Sequence, residues 1–340
     1  MPTPVAPYVS VFLSASDIPD RDIEALKSNE RYTNTILPNL LDERERLLQG
    51  KLATPGQSWI VCRSPNSKLS VDLMLGCIEN PLGSYPIFIV TTQPFTALTN
   101  EFLYPRLTVM VEALLRLVPT SRVFSIFSPA PITQVFADVW HRHTAIEAYH
   151  DEPYYDATVS YCTKSNLTSQ PEAKLPAGYS YELRPGVEKD IHGIAELCWN
   201  FSQHSDPFTL TLERAYEEAN VLIRRKQVWV HAVNQPNGVQ AIASIVAITR
   251  SSTSVSVITK VVTHPDWRRR GCAERLVRRV SRHLLSTKEA VMLYVGRDND
   301  AAHVYSRVGF PGLDKESHVE GVDHWLELGF DRNKVSLGHW

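Results

Sequence analysis

The sequence predicts an α+β fold: a mixed, mostly antiparallel sheet flanked by helices, built twice along the chain. Three observations carry this expectation. The chain has 340 residues, 43% of them hydrophobic and 21% charged, enough for two cores of about 150 residues each. The second half reads as strand, two helices, three strands, helix, strand, helix, strand. The first half follows nearly the same order with weaker signals, although no sequence period links the two. A polar, turn-rich stretch at 163–180 separates them without apolar periodicity. The expected organisation is a domain at 1–165, a linker at 166–178 and a second domain at 179–340.

In the second half, residues 179–183 alternate like a short strand, and 187–202 carries Ile191, Ile194, Ala195, Leu197 and Cys198 at helical spacing. A further helix is expected over 212–225. Runs at 228–233, 239–249 and 255–263 are rich in β-branched residues, and a turn at 234–238 joins the first two into an antiparallel meander. A helix over 272–285 places Leu276, Val280 and Leu284 on one face and Arg275, Arg278, Arg279 and Arg282 elsewhere. A strand at 290–295, a helix at 300–307 and a strand at 324–328 follow. The first half gives helices at 22–26 and 37–48, strands at 58–62, 71–78 and 86–91, a helix at 103–117, a strand at 122–128, a helix at 132–141 and a strand at 157–162.

Composition excludes several function classes. Lys plus Arg total 35 against 37 Asp plus Glu, so the chain lacks the positive field of a nucleic-acid binder. Cys62, Cys77, Cys162, Cys198 and Cys272 lie far apart and form no CxxC pair, which points to neither a disulfide framework nor a metal site. No apolar run is long enough for a membrane span and no basic segment precedes the short apolar stretch near the start. A cytoplasmic protein with no membrane or nucleic-acid partner is expected, and the sequon at Asn166 reads as chance.

The chemistry concentrates at 261–273, VVTHPDWRRRGCA, where a β-branched strand meets an amphipathic helix through an arginine-rich loop. The first amides of a helix lack internal partners and the helix dipole adds positive charge, so such a junction suits a phosphate or pyrophosphate. Gly271 and Ala273 are small enough to let a ligand reach the backbone, and Arg268, Arg269 and Arg270 can add contacts at the rim. The arginines read equally well as a solvated face, with Gly271 easing the turn.

This stretch resembles the acyl-CoA-binding motif of the GNAT superfamily of N-acetyltransferases, Q/R-x-x-G-x-G/A, with Arg268, Gly271 and Ala273 in its three places. About thirty residues on, Asn299, small residues, Tyr305 and Gly309-Phe310 resemble the second motif of that family. The resemblance implies the acyl-CoA N-acyltransferase fold, in tandem, with acetyl-CoA as co-substrate and no metal. It implies that Val261, Val262 and Thr263 pair with the pantetheine arm, that the amides of Arg269, Arg270, Gly271, Cys272, Ala273 and Glu274 hold the pyrophosphate, and that Asn299 and Ala302 contact the cofactor. Tyr305 would protonate the departing sulfur. From the residues alone, Asn299 is as good a helix cap and Tyr305 as good a core aromatic. On reference values, a phenol near 10 giving its proton to a thiolate near 8.5 is uphill by about 2 kcal/mol, so the site would have to lower the phenol or couple transfer to C–S cleavage.

The family's histone-modifying members carry a glutamate base on the strand before the loop, whereas 254–260 reads SVSVITK here. His231, His264 or a water chain are the alternatives. Cys272 occupies a variable place in the motif and reads as a spacer, although a helix N-terminus lowers a thiol's pKa. The first half has no such motif: 90–95 runs into a helix without the glycine, so that half is expected to be a degenerate copy that has lost cofactor binding. The expected activity is acetyl transfer to an amine of a small or amino-acid-like acceptor by direct attack. The alternatives are a longer acyl chain and a non-catalytic CoA-binding or interaction protein. Oligomeric state is not legible.

Overall fold

A computed structural model describes residues 6–65, 71–80, 82–169, 176–313 and 319–339. In chain order the strands are β1 (Tyr8–Phe12), β2 (Ser58–Arg63), β3 (Leu73–Cys77), β4 (Glu79–Asn80), β5 (Gly83–Ser84), β6 (Ile87–Thr91), β7 (Ser125–Pro129), β8 (Tyr155–Cys162), β9 (Ser180–Pro185), β10 (Val228–Asn234), β11 (Gln240–Ser251), β12 (Val255–Thr263), β13 (Ala290–Gly296) and β14 (Asp323–Gly329). The helices are α1 (Asp20–Lys27), α2 (Glu30–Thr33), α3 (Leu37–Leu48), α4 (Asn100–Leu117), α5 (Ala130–Thr144), α6 (Ile191–Ser202), α7 (Leu212–Arg224), α8 (Cys272–Leu284) and α9 (Ala301–Val308). None of these helices is long and apolar enough to cross a membrane.

The chain forms two compact units, 1–157 with 324–340, and 158–323. In the first, β1, β2, β3 and β6 pair antiparallel in that order, β6 meets β7 in parallel, and β7 pairs antiparallel with β14. In the second, β9, β10, β11 and β12 form the expected antiparallel meander, β12 meets β13 in parallel, and β8 lies beyond β13. The same plan thus appears twice, as the order of elements predicted.

The boundaries differ from the expected 1–165 and 179–340. The strand predicted at the end of the second half, β14, pairs with β7 of the first unit from Trp325↔Pro129 to Gly329↔Ser125. Its Leu326 and Leu328, with Phe330, join the core that α4 and α5 cover. Residues 158–162 of β8, assigned by sequence to the first half, belong to the second unit. Contiguous reading could not foresee this, because pairing partners some 200 positions apart leave no local signal. β1 was not expected at all: five residues with one exposed edge make a weak pattern.

The expected linker at 166–178 is partly structure. Thr163 donates its amide to Asn166 Oδ1 at 2.5 Å, and the Thr168 amide donates to the Val308 carbonyl at 2.9 Å, so this segment docks on the end of α9. Residues 170–175 lie outside the described residues.

In the second unit the sheet carries apolar clusters on both faces. Leu276, Val277 and Val280 of α8 and Tyr305 and Val308 of α9 pack with Val246, Ile248, Ile258 and Leu293. Ile194, Leu197 and Cys198 of α6 and Ala215, Ala219 and Leu222 of α7 pack with Ile245, Ala247 and Val262. Alternation along β11 places these clusters on opposite faces.

Candidate active site

β12 and β13 pair only from Val255↔Ala290 to Ile258↔Leu293, whereas β12 continues along β11 to Ser244↔Thr263. Residues 259–263 therefore keep one edge of the strand outside the ladder. Such an edge presents backbone donors and acceptors that an extended amide-bearing ligand can pair with. Val261, Val262 and Thr263 all lie on it.

At the end of this edge the chain turns through Pro265–Trp267 and enters α8. Arg269 and Gly271 both have positive φ, +59° and +71°, and Gly271 is the N-cap, with no side chain to cap the helix. The first-turn amides of Cys272, Ala273 and Glu274 have no intrahelical acceptor, so they remain available to an anion. The glycine is required twice here, once for its dihedral and once for the lack of a capping side chain.

Arg268, Arg269 and Arg270 are exposed at the rim. Arg268 Nε donates to the Thr263 carbonyl at 3.4 Å, and the Arg270 guanidinium lies 4.9 Å from the Trp267 ring centre. Arg275 and Arg278, read from the sequence as lying off the apolar face of the helix, are instead 1% exposed. Arg275 donates to the carbonyl of Arg270 at 2.8 Å and to His231 Nε2 at 3.2 Å. Arg278 donates to Glu274 at 2.8 Å and to the Arg307 carbonyl at 3.2 Å. Their long stems fill space beside the core while their heads fix the loop and α9, which a binary polar pattern cannot express.

Glu274 bridges Arg278 and Arg307, both at 2.8 Å. Burial raises its carboxyl pKa, but the hydrogen bonds from the two guanidinium groups outweigh it and leave the group below its usual range. Asn299 caps: its Oδ1 accepts the Ala301 amide at 2.9 Å. Ala302 and Tyr305 follow on α9, Tyr305 at 7% exposure and T-shaped against Phe310. Burial pushes the Tyr305 phenol well above its usual pKa, opposite to the lowering that a simple acid would need.

The remaining sequence candidates separate. His231 is fully buried on β10, stacked on Tyr181 at 4.9 Å, and burial together with Arg275 lowers its pKa to about 4. It is neutral and occupied as an acceptor. His264 lies 3.3 Å from Glu196 and accepts the Asp266 amide at 3.3 Å, a turn cap beside the loop. Burial raises the Cys272 thiol, outweighing its place at a helix start, in keeping with a spacer. Among the described residues no group of three or more His, Cys, Asp or Glu side chains could hold a metal ion.

Sequence reasoning missed an ion pair. Lys260 Nζ of β12 lies 2.6 Å from Glu218 Oε1 of α7, with both side chains about 10% exposed. One signal was available: Glu218 falls between Ala215 and Leu222 at the i+3 and i+4 spacing of the buried face.

In the first unit, β6 and β7 also separate early, pairing only at Ile87↔Ile126 and Phe88↔Phe127. There the helix start is capped by its own chain, Thr99 Oγ1 accepting the Phe102 amide at 3.4 Å. Arg106 of α4 is bound to Asp72 at 3.0 Å, and Ser64 and Gln93 donate to the same carboxylate at 2.6 and 3.2 Å.

Residues 240–319 match the family model described as FR47-like protein. No curated protein matches the sequence. Among solved structures, a tandem GNAT protein from the clavulanic acid biosynthesis pathway is similar over 94% of this chain and 97% of its own, with 14% identity and a TM-score of 0.53. A GCN5-related N-acetyltransferase from Sphaerobacter thermophilus covers 97% of both chains at 14% identity and a TM-score of 0.51. A Drosophila protein covers 96% of this chain and 99% of its own at 11% identity and a TM-score of 0.58. The family match covers part of the motif-bearing half, and the fold of the whole chain is that of a tandem GNAT protein.

Proposed function

We propose that the protein transfers an acetyl group from acetyl-CoA to an amine of a small or amino-acid-like acceptor, with the second unit holding the donor. The observation that carries this reading is the half-paired edge of β12 running into the uncapped start of α8. Val261, Val262 and Thr263 offer backbone pairing, the amides from Arg269 to Glu274 offer an anion cradle, and Arg268 and Arg270 add charge. Asn299 holds the turn that presents Ala302 and Tyr305.

Acetyl-CoA supplies the activated carbonyl, and direct attack by the amine forms the amide and releases the thiol. Tyr305 stays protonated across neutral pH and donates toward sulfur. Burial that raises the phenol also raises a thiol leaving in the same surroundings, so transfer accompanying C–S cleavage is not made harder by the phenol's shift alone. The first unit, with its helix start self-capped and Arg106 engaged, is read as a degenerate copy without CoA. The cysteines are buried and unpaired, which suits a reducing cytoplasm. The test is release of free thiol from acetyl-CoA across a panel of amines, amino acids, polyamines and peptides; release no faster than the panel without protein would refute the activity.

A further inference from the structure

The register of β12 changes at one residue. Ala247 faces Lys260 but Ile248 faces Ile258, so Thr259 is an extra residue in β12; one step later Ile248 and Arg250 face Ile258 and Val257, so Thr249 is the extra residue in β11. The two bulged threonines meet, hydroxyl to hydroxyl, at 3.0 Å. In a regular strand Lys260 would project on the same face as Ile258, two residues earlier, among α8 and α9. The inserted residue reverses it. Val261 now packs on the Tyr305 side with Ile258, while Lys260 reaches Glu218 of α7 and Val262 packs among α6 and α7.

The bulge sits where β13 leaves β12, so the re-aimed side chain falls beside the open edge, on the face away from Tyr305. There the Glu218 carboxylate uses Oε1 for Lys260, and its buried Oε2 has no hydrogen-bond partner among the described residues. The groups around it are the Lys260 ammonium from β12, which lies 5.0 Å from the Phe201 ring centre, and the Cys198 thiol from α6. Burial first, then the neighbouring carboxylate, hold that thiol protonated, with a pKa of about 12. The thiol is a weak donor to this carboxylate, so Oε2 still lacks a nitrogen or oxygen donor, which is uncommon for a buried carboxylate oxygen.

We propose that Glu218 Oε2 receives the acceptor amine and takes its proton, with Lys260 as the residue that positions the carboxylate. This rests on the transferase reading above. Glu218 first takes one proton from the ammonium and passes it to water; as the freed lone pair forms the C–N bond, a second N–H bond breaks and its proton passes to Glu218, while the C–S electron pair goes to sulfur, which takes a proton from Tyr305 on the opposite face. Glu218 then loses its proton to water and Tyr305 regains one. The acceptor class follows: a primary amine that is cationic in solution, since a carboxylate beside the open edge both attracts and deprotonates it.

The experiment compares full-length wild type, Glu218→Gln and Glu218→Asp with a primary alkylamine in single turnover from pH 6.5 to 9.5, and measures CoA affinity by calorimetry. Glutamine keeps the size and an acceptor for Lys260. Expected are an unchanged CoA affinity, transfer slowed about 100-fold or more in Glu218→Gln at pH 7, partial rescue in Glu218→Asp, and a deficit that shrinks as pH approaches the pKa of the alkylammonium. A wild-type rate in Glu218→Gln, or a loss of equal size at every pH, overturns the proposal while leaving the transferase intact. Wild type that binds CoA but acetylates no amine overturns both.

Discussion

Arg275 Nη2 donates to the carbonyl of Arg270 across 2.8 Å. In a trans peptide the carbonyl of one residue and the N–H of the next point in opposite directions, so this bond turns the Gly271 amide away from α8. A buried arginine on the helix thereby orients an exposed loop. Replacing it with methionine should weaken CoA binding at least tenfold by isothermal calorimetry and lower stability by about 1–3 kcal/mol in urea, since Arg270 would lose its partner. Unchanged affinity would show that the loop holds its shape alone.

Gly271→Glu tests the anion cradle directly. A carboxylate at the N-cap would occupy and repel the pyrophosphate position, and φ of +71° disfavours any side chain. Wild type at a hundredfold excess of CoA over its Kd should gain about 2.7 kcal/mol, read as a rise in Tm, and the variant should gain nothing.

Tyr305→Phe should slow single-turnover transfer by about 10²- to 10⁴-fold with CoA affinity intact. Because burial holds the phenol protonated, wild type should show no loss of rate attributable to it between pH 7 and 9. A tyrosine that serves only packing would leave the single-turnover rate within tenfold of wild type.

Two buried groups give stability opposite slopes with pH. His231 has a folded pKa of about 4 against 6.5 unfolded, so the unfolded chain binds more protons between those values, and stability falls as pH drops from 6.5 through 4. Glu327 of β14 has burial as its main cause and, despite a hydrogen bond from Ser125 at 2.7 Å, a folded pKa of about 8. There the folded state holds the extra proton: full stabilisation is present below about 4.5 and is lost as pH rises through 8. Denaturation midpoints from pH 4 to 9 should therefore show Glu327→Gln flattening the alkaline side and His231→Gln the acid side. Identical profiles in variant and wild type would mean that neither group carries its proton as described.

The meander, the loop and both motifs were legible because each is local. β-branched runs, Gly271 and Asn299 state their structure within a few residues. The ion pair was not legible: Lys260 and Glu218 come from separate elements, and a bulge at Thr259 decides which face Lys260 takes. A period-two pattern assumes no insertion and puts Lys260 on the face of Ile258, opposite to where the bulge sends it. The arginines of α8 failed for a related reason. Arg275 and Arg278 are buried by what they bond, and charge alone argued for solvent.

The placement of β14 bears on how the molecule is made. Residues 325–329 pair with β7 of the first unit, so that sheet cannot finish until the chain has been made through residue 329. Throughout synthesis of the second half, β7 waits with an unsatisfied edge, a site where strands of other nascent chains can add. A fragment ending at residue 165 would remain in that state permanently. The order of synthesis and the order of folding are thus uncoupled, and residues 325–329 act as the closing step for a sheet whose strand β7 was made about 200 residues earlier.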